Sequence, residues 1–288
     1  MPWNTGPTWR GICTSTAITA SDISEYLAST DDFAFERWAY RLAKGLGFQA
    51  QHAALYVDPV TGKPRQFDVR ATMASGQNEV ALAIECKSLT EDFPLLVSCV
   101  PRERNESFHE FLYRDSVMGA GSSYTRVQTL LRGNPPCVYQ TGHGVGKSVR
   151  QVRREKKGKN ADRMVSGDEV FDKWTQSLAS IGEMVDSGAG VLAAPAPQQP
   201  VQRIAFLPVL VVPDNTLWIA DYSSPGDLRQ APFQCPAITF YLERKYRLTR
   251  EQAWFTVTHL HIFTRTSLGE WLQNIAQGGG IWQELFPN

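Results

Sequence analysis

Two neighbouring segments of the chain alternate apolar and polar residues with the period of two that is typical of β-strands. The first runs from Arg65 to Met73 and the second from Glu79 to Leu89, and a polar, glycine-containing stretch from Ala74 to Asn78 joins them. This combination predicts a β-hairpin, called the motif hairpin below. The apolar residues predicted to share one face are Phe67, Val69, Ala71, Met73, Val80, Leu82, Ile84 and Cys86.

The hydrophobic pattern also predicts the register of the motif hairpin. If Ala74 pairs with Glu79, the apolar residues of both strands lie on one face, whereas a slip of one residue would mix the two faces. This register places Asp68 opposite Glu85 on the other face, with Lys87 next on the same face of its strand. The sequence therefore predicts two neighbouring carboxylates beside a lysine.

Such a pair of carboxylates indicates a cation site, because adjacent carboxylates repel each other unless a cation lies between them. Hard divalent cations such as Mg²⁺ bind carboxylate and carbonyl oxygens and retain water, which suits metal-assisted hydrolysis of a phosphodiester. A neighbouring lysine can position the attacking water or stabilise charge that develops on the phosphate. The alternative is an ordinary pattern of paired charges on a solvent-facing sheet.

The run Phe67-Asp68-Val69-Arg70, followed by Ala83-Ile84-Glu85-Cys86-Lys87, resembles the signature of the PD-(D/E)xK nuclease superfamily. That superfamily includes restriction-endonuclease-like enzymes, Holliday-junction resolvases and Mrr-type nucleases. The chain departs from the signature at Phe67, where the family pattern has a proline. The resemblance covers roughly residues 31 to 88.

The resemblance implies Mg²⁺- or Mn²⁺-dependent hydrolysis of DNA in restriction, phage defence or DNA repair. Asp68 and Glu85 would bind the metal together with the backbone carbonyl of Cys86, and Lys87 would act on the water or on the scissile phosphate. A catalytically inactive subunit of the same fold that only binds nucleic acid is the alternative. The sequence leaves open RNA as a substrate, endonuclease or exonuclease mode, and a homo-oligomeric state.

The segments before the motif hairpin agree with this resemblance. Residues Asp31 to Leu46 form an amphipathic pattern that predicts a helix, and Phe48 to Val57 predicts a strand. Glu36 lies beside the apolar stripe of the predicted helix, where many members of the superfamily carry a glutamate that reaches the metal. The resemblance thus makes Glu36 an auxiliary metal ligand, with a solvated helix residue as the alternative.

The whole pattern predicts an α/β protein with a restriction-endonuclease-like mixed sheet flanked by helices and an insertion after the motif hairpin. We expect an N-terminal arm at 1–30 and a nuclease domain at 31–288. The insertion, at about 91–190, is expected to be basic and helical. The other predicted elements are a helix at 168–186, a connecting loop at 188–202, strands at 204–212, 216–222 and 254–263, and a helix at 267–276.

A basic segment lies inside this insertion, although the formal net charge of the chain is zero. Between Lys147 and Arg163 there are eight basic residues and two acidic ones. We expect a short helix from Ser148 to Lys157 that contacts phosphates, with a solvated loop as the alternative. The predicted nucleic-acid contacts are Lys147, Ser148, Arg150, Arg153, Arg154, Lys156 and Lys157, with Arg70 added from the motif hairpin.

The glycine-rich run from Gly142 to Ser148 also allows a nucleotide-binding switch as an alternative function. A phosphate-binding P-loop needs glycine at its first position, follows a buried strand and opens an apolar helix. Here Thr141 occupies the first position and the segment that follows is charged. A flexible turn is therefore the preferred interpretation.

Composition and simple sequence patterns indicate the cellular environment in which the protein is expected to work. No apolar stretch is long enough for a membrane span, and the first thirteen residues lack the pattern of a secretory signal. Five scattered cysteines without a CxxC pair predict a reducing, cytoplasmic environment. The pair His259 and His261 is expected to be structural. Since no helix-turn-helix or zinc finger is evident, a protein partner is expected to supply target recognition.

Overall fold

The computed structural model describes residues 17–30, 32–58, 62–116, 123–131, 138–157, 161–167, 169–193, 201–248 and 253–286. The chain divides into two compact units, Met1–Asp31 and Asp32–Asn288. The described part of the first unit is a helix, α1 (Ala20–Thr30). It begins with a reciprocal cap, because the Thr19 amide donates to Asp22 Oδ2 and the Asp22 amide donates to Thr19 Oγ1.

The second unit combines four α-helices, one large mixed sheet and a separate two-stranded sheet in its described part. The helices are α2 (Asp32–Gly45), α3 (Glu169–Ala193), α4 (Arg265–Ala276) and α5 (Ile281–Leu285). The strands are β1 (Gln49–His52), β2 (Leu55–Val57), β3 (Pro64–Gln66), β4 (Val69–Ser75), β5 (Asn78–Cys86), β6 (Leu95–Pro101), β7 (Phe108–Ser116), β8 (Ser123–Leu131), β9 (Gly144–Lys157), β10 (Ala161–Gly167), β11 (Arg203–Val212), β12 (Leu217–Asp221), β13 (Phe233–Gln234), β14 (Ala237–Arg247) and β15 (Trp254–Thr264).

The centre of the sheet consists of β5, β11 and β15, which run parallel to one another. Strands β1 and β4 extend the sheet beyond β5, and β14, β9, β6, β12 and β13 extend it beyond β15. Helices α2, α4 and α5 cover one face of the centre, while α3 covers the other. The near-continuous apolar sequence of β11 follows from this arrangement, because both of its faces are buried.

Helix α2 lies at the position that was predicted from its apolar stripe. Phe35 and Ala39 are buried against the sheet, and Trp38 packs beside them. The helix ends because Gly47 adopts a left-handed conformation, with φ of +92°, which lets the Phe48 amide donate back to the Ala43 carbonyl. This end fixes the direction in which the chain enters β1.

On the opposite face, small residues let α3 approach the sheet closely. Ala81 and Ala83 of β5 face this helix, and Ser177 Oγ donates a 3.0 Å hydrogen bond to the Ala83 carbonyl. Gly188 lies so close to β11 that a Cβ atom there would come within 2.8 Å of the Phe206 ring. The predicted loop at 188–202 is therefore wrong in its first part, where α3 continues to Ala193.

The prediction of a helical insertion at about 91–190 is wrong for most of its length. Strands β6 to β10 occupy the region up to α3 and belong to the main sheet. Leu95 and Val97 of β6 belong to one apolar cluster with Leu217 of β12 and Leu210 of β11, so this part of the sheet shares a core with its centre. Short segments of this region alternate apolar and polar residues, and this alternation was the sequence signal for strands that was missed.

The predicted short helix from Ser148 to Lys157 is also wrong, because this segment is the second half of β9. Strand β9 pairs with β6 on one edge and with β10 on the other. Val149 lies opposite Val97 and Gln151 is buried opposite Leu95, so the extended chain places its less polar residues inward between exposed arginines. Pairing on both edges outweighs the helical propensity of lysine and arginine.

Two of the predicted strands are interrupted. Phe48 to Val57 divides into β1 and β2 because Ala53 adopts a positive φ of 56°. Arg65 to Met73 divides into β3 and β4, with Phe67 and Asp68 between them. Phe67 then packs with Tyr56 on the α3 side, not on the predicted apolar face. The helix at 267–276 and the strands at 204–212 and 254–263 are confirmed within two residues.

Candidate functional site

The predicted register of the motif hairpin is confirmed. Val69 pairs with Ile84 and Ala74 pairs with Glu79, across a turn in which Gly76 has a φ of +58°. The same register brings Asp68 next to Glu85, and the Asp68 amide nitrogen lies 3.5 Å from Glu85 Oε1. The two carboxylates therefore lie at the same end of the hairpin.

Asp68 is held on both sides by main-chain hydrogen bonds. Its Oδ2 atom accepts a 2.8 Å hydrogen bond from the Cys86 amide, and its carbonyl oxygen accepts one of 3.1 Å from the Ala53 amide. The side chain is 6 % exposed. The Asp68 carboxylate thus takes the place of a main-chain carbonyl as hydrogen-bond acceptor at the point where the ladder between β4 and β5 ends. This hydrogen bond holds the carboxylate beside Cys86, the last residue of β5.

Glu85 is a buried carboxylate near the carboxyl end of β5, with 1 % of its surface exposed. Strand alternation places it on the α3 side with Ala83, and Tyr56 of β2 lies over this region. The pKa of Tyr56 is raised to about 12, mainly by burial and also by the negative charges of Glu85 and Asp58, against the opposing effect of nearby arginines. The carboxyl group of Glu85 therefore lies in a largely apolar part of the fold.

Lys87 follows directly after β5 and contacts the start of α2. Its Nζ atom lies 3.7 Å from Asp32 Oδ2, and Asp32 Oδ1 accepts a 2.6 Å hydrogen bond from the Ser88 amide. Asp32 was not predicted as a site residue. The sequence signal for it was an acidic residue in the first helical turn, one turn before Glu36 on the same face.

Glu36 contacts the site through a histidine that sequence reasoning missed. His52 Nε2 lies 3.3 Å from Glu36 Oε2, and His52 is paired with Val69, the residue after Asp68. Burial and the positive charge of Arg37 lower the pKa of His52, while the charge of Asp68 acts in the opposite direction. Glu36 and His52 therefore form a pair that lies close enough to Asp68 for the Asp68 charge to act on His52.

The donor atoms at this end fit a hard divalent cation. Asp68 and Glu85 offer carboxylate oxygens, and Cys86, between Glu85 and Lys87 in the sequence, offers a main-chain carbonyl. Within the described ranges, no three His, Cys, Asp or Glu side chains converge as a complete set of ligands. Two carboxylates, a carbonyl and waters would form the set, as Mg²⁺ commonly accepts.

The residues predicted to contact phosphates differ in their exposure and location. Arg150, Arg153 and Arg154 are exposed on β9, and Arg153 lies over the Phe93 ring at 5.6 Å. Ser148 is half-buried opposite Ser98 of β6. The side chains of Lys156 and Lys157 lie outside the described part of the structure.

Lys147, which is exposed, and Arg70, which is partly buried, both contact other elements of the fold. Lys147 forms an ion pair with Glu106 and lies 4.5 Å from the centre of the Tyr241 ring. Arg70 donates to Ser180 and Glu183 of α3. Both cations join different elements of the fold, and a contact with phosphate stays a prediction for each of them.

The glycine-rich run does not have the surroundings of a P-loop. It leads into strand β9 and not into a helix. Gly146 is required by packing, because a Cβ atom there would lie 2.6 Å from Val97 and 2.9 Å from the Phe240 ring. This close approach of neighbouring strands explains the glycine without a nucleotide.

His259 and His261 are buried in a cluster with Tyr139 and His109. Tyr139 stacks on the His259 ring at 3.6 Å, and its hydroxyl lies 2.8 Å from His261 Nε2. His109 Nε2 lies 3.0 Å from the Leu285 carbonyl. These contacts hold the histidine rings in the core. Among the described residues, however, His259 Nε2 and His109 Nδ1 are buried without a hydrogen-bond partner.

The described helices include none with the length and hydropathy needed to span a bilayer. The chain was compared with protein-family models, with curated proteins and with solved structures, and none of them matches it.

Proposed function

We propose that this chain is a metal-dependent nuclease of restriction-endonuclease-like fold that hydrolyses DNA phosphodiester bonds. The observation that carries the proposal is the pair of buried carboxylates, Asp68 and Glu85, at the end of the motif hairpin, with Lys87 two residues after Glu85 in the sequence. Burying two like charges together opposes folding unless a cation or a specific network compensates. Such an arrangement at the edge of a sheet favours a functional site.

The position of the pair in the sheet gives further support. Strands β5, β11 and β15 run parallel, and the carboxylates lie at the carboxyl end of β5. Open α/β sheets commonly bind their ligands at the carboxyl ends of parallel strands. The order of α2, β1, β4 and β5 also agrees with the start of the core that the resemblance implies.

In this proposal each residue has a defined task. Asp68 and Glu85 would hold Mg²⁺ or Mn²⁺ with the Cys86 carbonyl, and the ion would supply Lewis-acid activation of the scissile phosphate. The Cys86 amide keeps the Asp68 carboxylate in place. Lys87, steadied by Asp32, orients the attacking water or neutralises the phosphate. Glu36 acts through His52 or as an auxiliary ligand.

The exposed arginines of β9 provide a surface for the nucleic-acid backbone. Arg150, Arg153 and Arg154 follow one another along a strand that forms a hairpin with β10. Contacts of this kind position a duplex without reading its sequence. We therefore propose that a protein partner directs the nuclease to its targets, in restriction, phage defence or DNA repair.

The experiment that tests the proposal is a cleavage assay with plasmid DNA, linear DNA and RNA. Each substrate is incubated with the protein and Mg²⁺, Mn²⁺ or EDTA. We expect cleavage of DNA with either ion and none with EDTA. Binding of DNA without cleavage under every condition would instead support a catalytically inactive subunit. The absence of both binding and cleavage would exclude the proposed function.

A further inference from the structure

A cavity whose lining includes neither Asp68 nor Glu85 suggests a second site. It lies between strands β14 and β15 on one side and helices α4 and α5 on the other, with a volume of about 560 Å³. Ligand sites in proteins commonly have volumes of roughly 300 to 1,000 Å³. The cavity is therefore large enough for a small organic molecule.

One wall of the cavity is aromatic. The Trp271 ring lies 4.8 Å from the Phe263 ring and 5.6 Å from the His261 ring, and the His261 and Phe263 rings are nearly parallel. All three residues line the cavity. Burial, together with the positive charge of Arg102, lowers the pKa of His261 to about 3, so this wall carries no charge at neutral pH. A flat, uncharged wall suits a planar ring.

A permanent positive charge lines the same cavity. Arg102 is only 4 % exposed, and its guanidinium donates to the Gln140 carbonyl and to Thr239 Oγ1. It also lies 5.5 Å from the centre of the Tyr139 ring, whose hydroxyl contacts His261. This chain of contacts holds the charge close to the aromatic wall. A buried guanidinium attracts carboxylate or phosphate groups strongly.

The remaining polar residues provide hydrogen-bonding groups for a ring edge. Asn274 of α4 can both donate and accept, and Glu284 of α5 can accept. Glu284 is partly buried, and this burial raises the pKa of its carboxyl group. The cavity thus combines a stacking surface, a fixed cation and polar groups that can orient a heterocycle.

We propose that this cavity binds a small anion that carries a planar aromatic ring, with the ring against Trp271 and the anionic group at Arg102. Two sources have this chemistry, namely 5′-mononucleotides and aromatic carboxylates. The proposal does not depend on the nuclease function, because Asp68, Glu85 and Lys87 do not line the cavity.

Isothermal titration calorimetry of the full chain tests the proposal. The probes are AMP, GMP, CMP and UMP, the corresponding nucleosides, indole-3-acetate and inorganic phosphate. We expect at least one nucleotide or indole-3-acetate to bind with a submillimolar dissociation constant, and its affinity to exceed that of phosphate. The outcome across the panel separates nucleotides from aromatic carboxylates.

Two variants identify the site. Trp271→Leu should weaken binding about 10-fold or more, in line with the usual effect of removing a stacking partner. Arg102→Gln should weaken binding of the anion and leave that of the matching nucleoside unchanged. Since Arg102 is buried and its variant can fail to fold, Asn274→Ala is the second lining variant, with a loss of affinity expected.

Matched controls distinguish this cavity from other surfaces. Trp254 is 58 % exposed and lies outside the cavity lining, so Trp254→Leu should bind the probe as the unaltered protein does. Asp68→Asn should also bind normally, which keeps the result separate from the nuclease proposal. Absence of binding by every aromatic anion, or binding that survives both Trp271→Leu and Asn274→Ala, would overturn the proposal.

Discussion

The Cys86 amide donates a 2.8 Å hydrogen bond to Oδ2 of Asp68, so the last residue of β5 is bound to the side chain that precedes β4. This bond takes the place of the next main-chain bond in the hairpin ladder. It joins the two strands at their open end and holds a carboxylate beside Glu85. The same hydrogen bond therefore contributes both to the fold and to the arrangement of the candidate metal site.

This dual role predicts different effects for two substitutions of Asp68. Asp68→Asn keeps an oxygen that can accept from the Cys86 amide, whereas Asp68→Ala leaves that buried amide without its acceptor, at a cost of about 1–3 kcal/mol. We expect both variants to lose metal-dependent cleavage, and only the alanine variant to lose stability on this scale. Urea unfolding and cleavage assays measure the two effects. Equal stability of the two variants would contradict the assigned role of the hydrogen bond.

Glu36 is predicted to set the metal concentration that the enzyme requires. Glu36→Gln removes a negative charge beside His52 without changing the shape of the side chain. We expect cleavage at saturating Mg²⁺ to be reduced and the half-saturating Mg²⁺ concentration to rise. Glu25→Gln on α1 is a control of the same chemistry. A Mg²⁺ titration curve identical to that of the unaltered protein would show that Glu36 has only a structural role.

The exposed arginines of β9 are predicted to contact phosphates. Replacing Arg150, Arg153 and Arg154 with alanine should weaken DNA binding for all sequences alike. It should also flatten the plot of log K against log salt, by roughly 0.9 for each phosphate that the variant no longer neutralises. Arg41 and Arg247, exposed elsewhere, provide the control when replaced together. An unchanged salt slope in the triple variant would show that this strand does not contact DNA.

The buried histidine cluster predicts a loss of stability in mild acid. Burial lowers the pKa of His259, His261 and His109 below the usual 6.5, and that of His261 to about 3. The unfolded chain therefore binds protons that the folded chain does not bind. Stability should fall as the pH decreases from about 6.5 towards 3, by about 1.4 kcal/mol per pH unit for His261, and His259 and His109 should act in the same direction.

Urea unfolding at pH 7.5, 6.5, 5.5 and 4.5 measures this dependence. His261→Gln, which can still contact the Tyr139 hydroxyl, should reduce the slope, while replacement of the exposed His143 by glutamine should leave it unchanged. A free energy of unfolding that is constant between pH 6.5 and 4.5 would contradict the prediction.

The sequence predicted the elements in which local pattern and tertiary burial agree. The apolar residues of the motif hairpin specify its register, and the stripe of Phe35, Trp38 and Ala39 specifies α2. Strand β11 was recognisable because burial on both faces requires continuous apolar residues. In each case a single segment contains the whole signal.

The elements that were missed depend on contacts between distant segments. The contacts of Lys147 with Glu106 and Tyr241 were not evident from the sequence, because these two residues come from other parts of the chain. Strand β9 looked helical because its pairing with β6 and β10 is not evident from its own sequence. Asp32 and His52 were not predicted for the same reason, since only the fold brings them to Lys87 and Glu36.

The most direct test of the central claim is a Mg²⁺ titration of DNA cleavage by the Glu85→Gln variant, with Glu79→Gln as its control. Both glutamates belong to β5, but Glu79 lies at the turn, opposite Ala74, while Glu85 lies beside Asp68. We predict that Glu85→Gln abolishes cleavage at every Mg²⁺ concentration and remains folded, and that Glu79→Gln cleaves normally. Full cleavage by a folded Glu85→Gln protein would contradict the proposal that the carboxylate pair is a nuclease site.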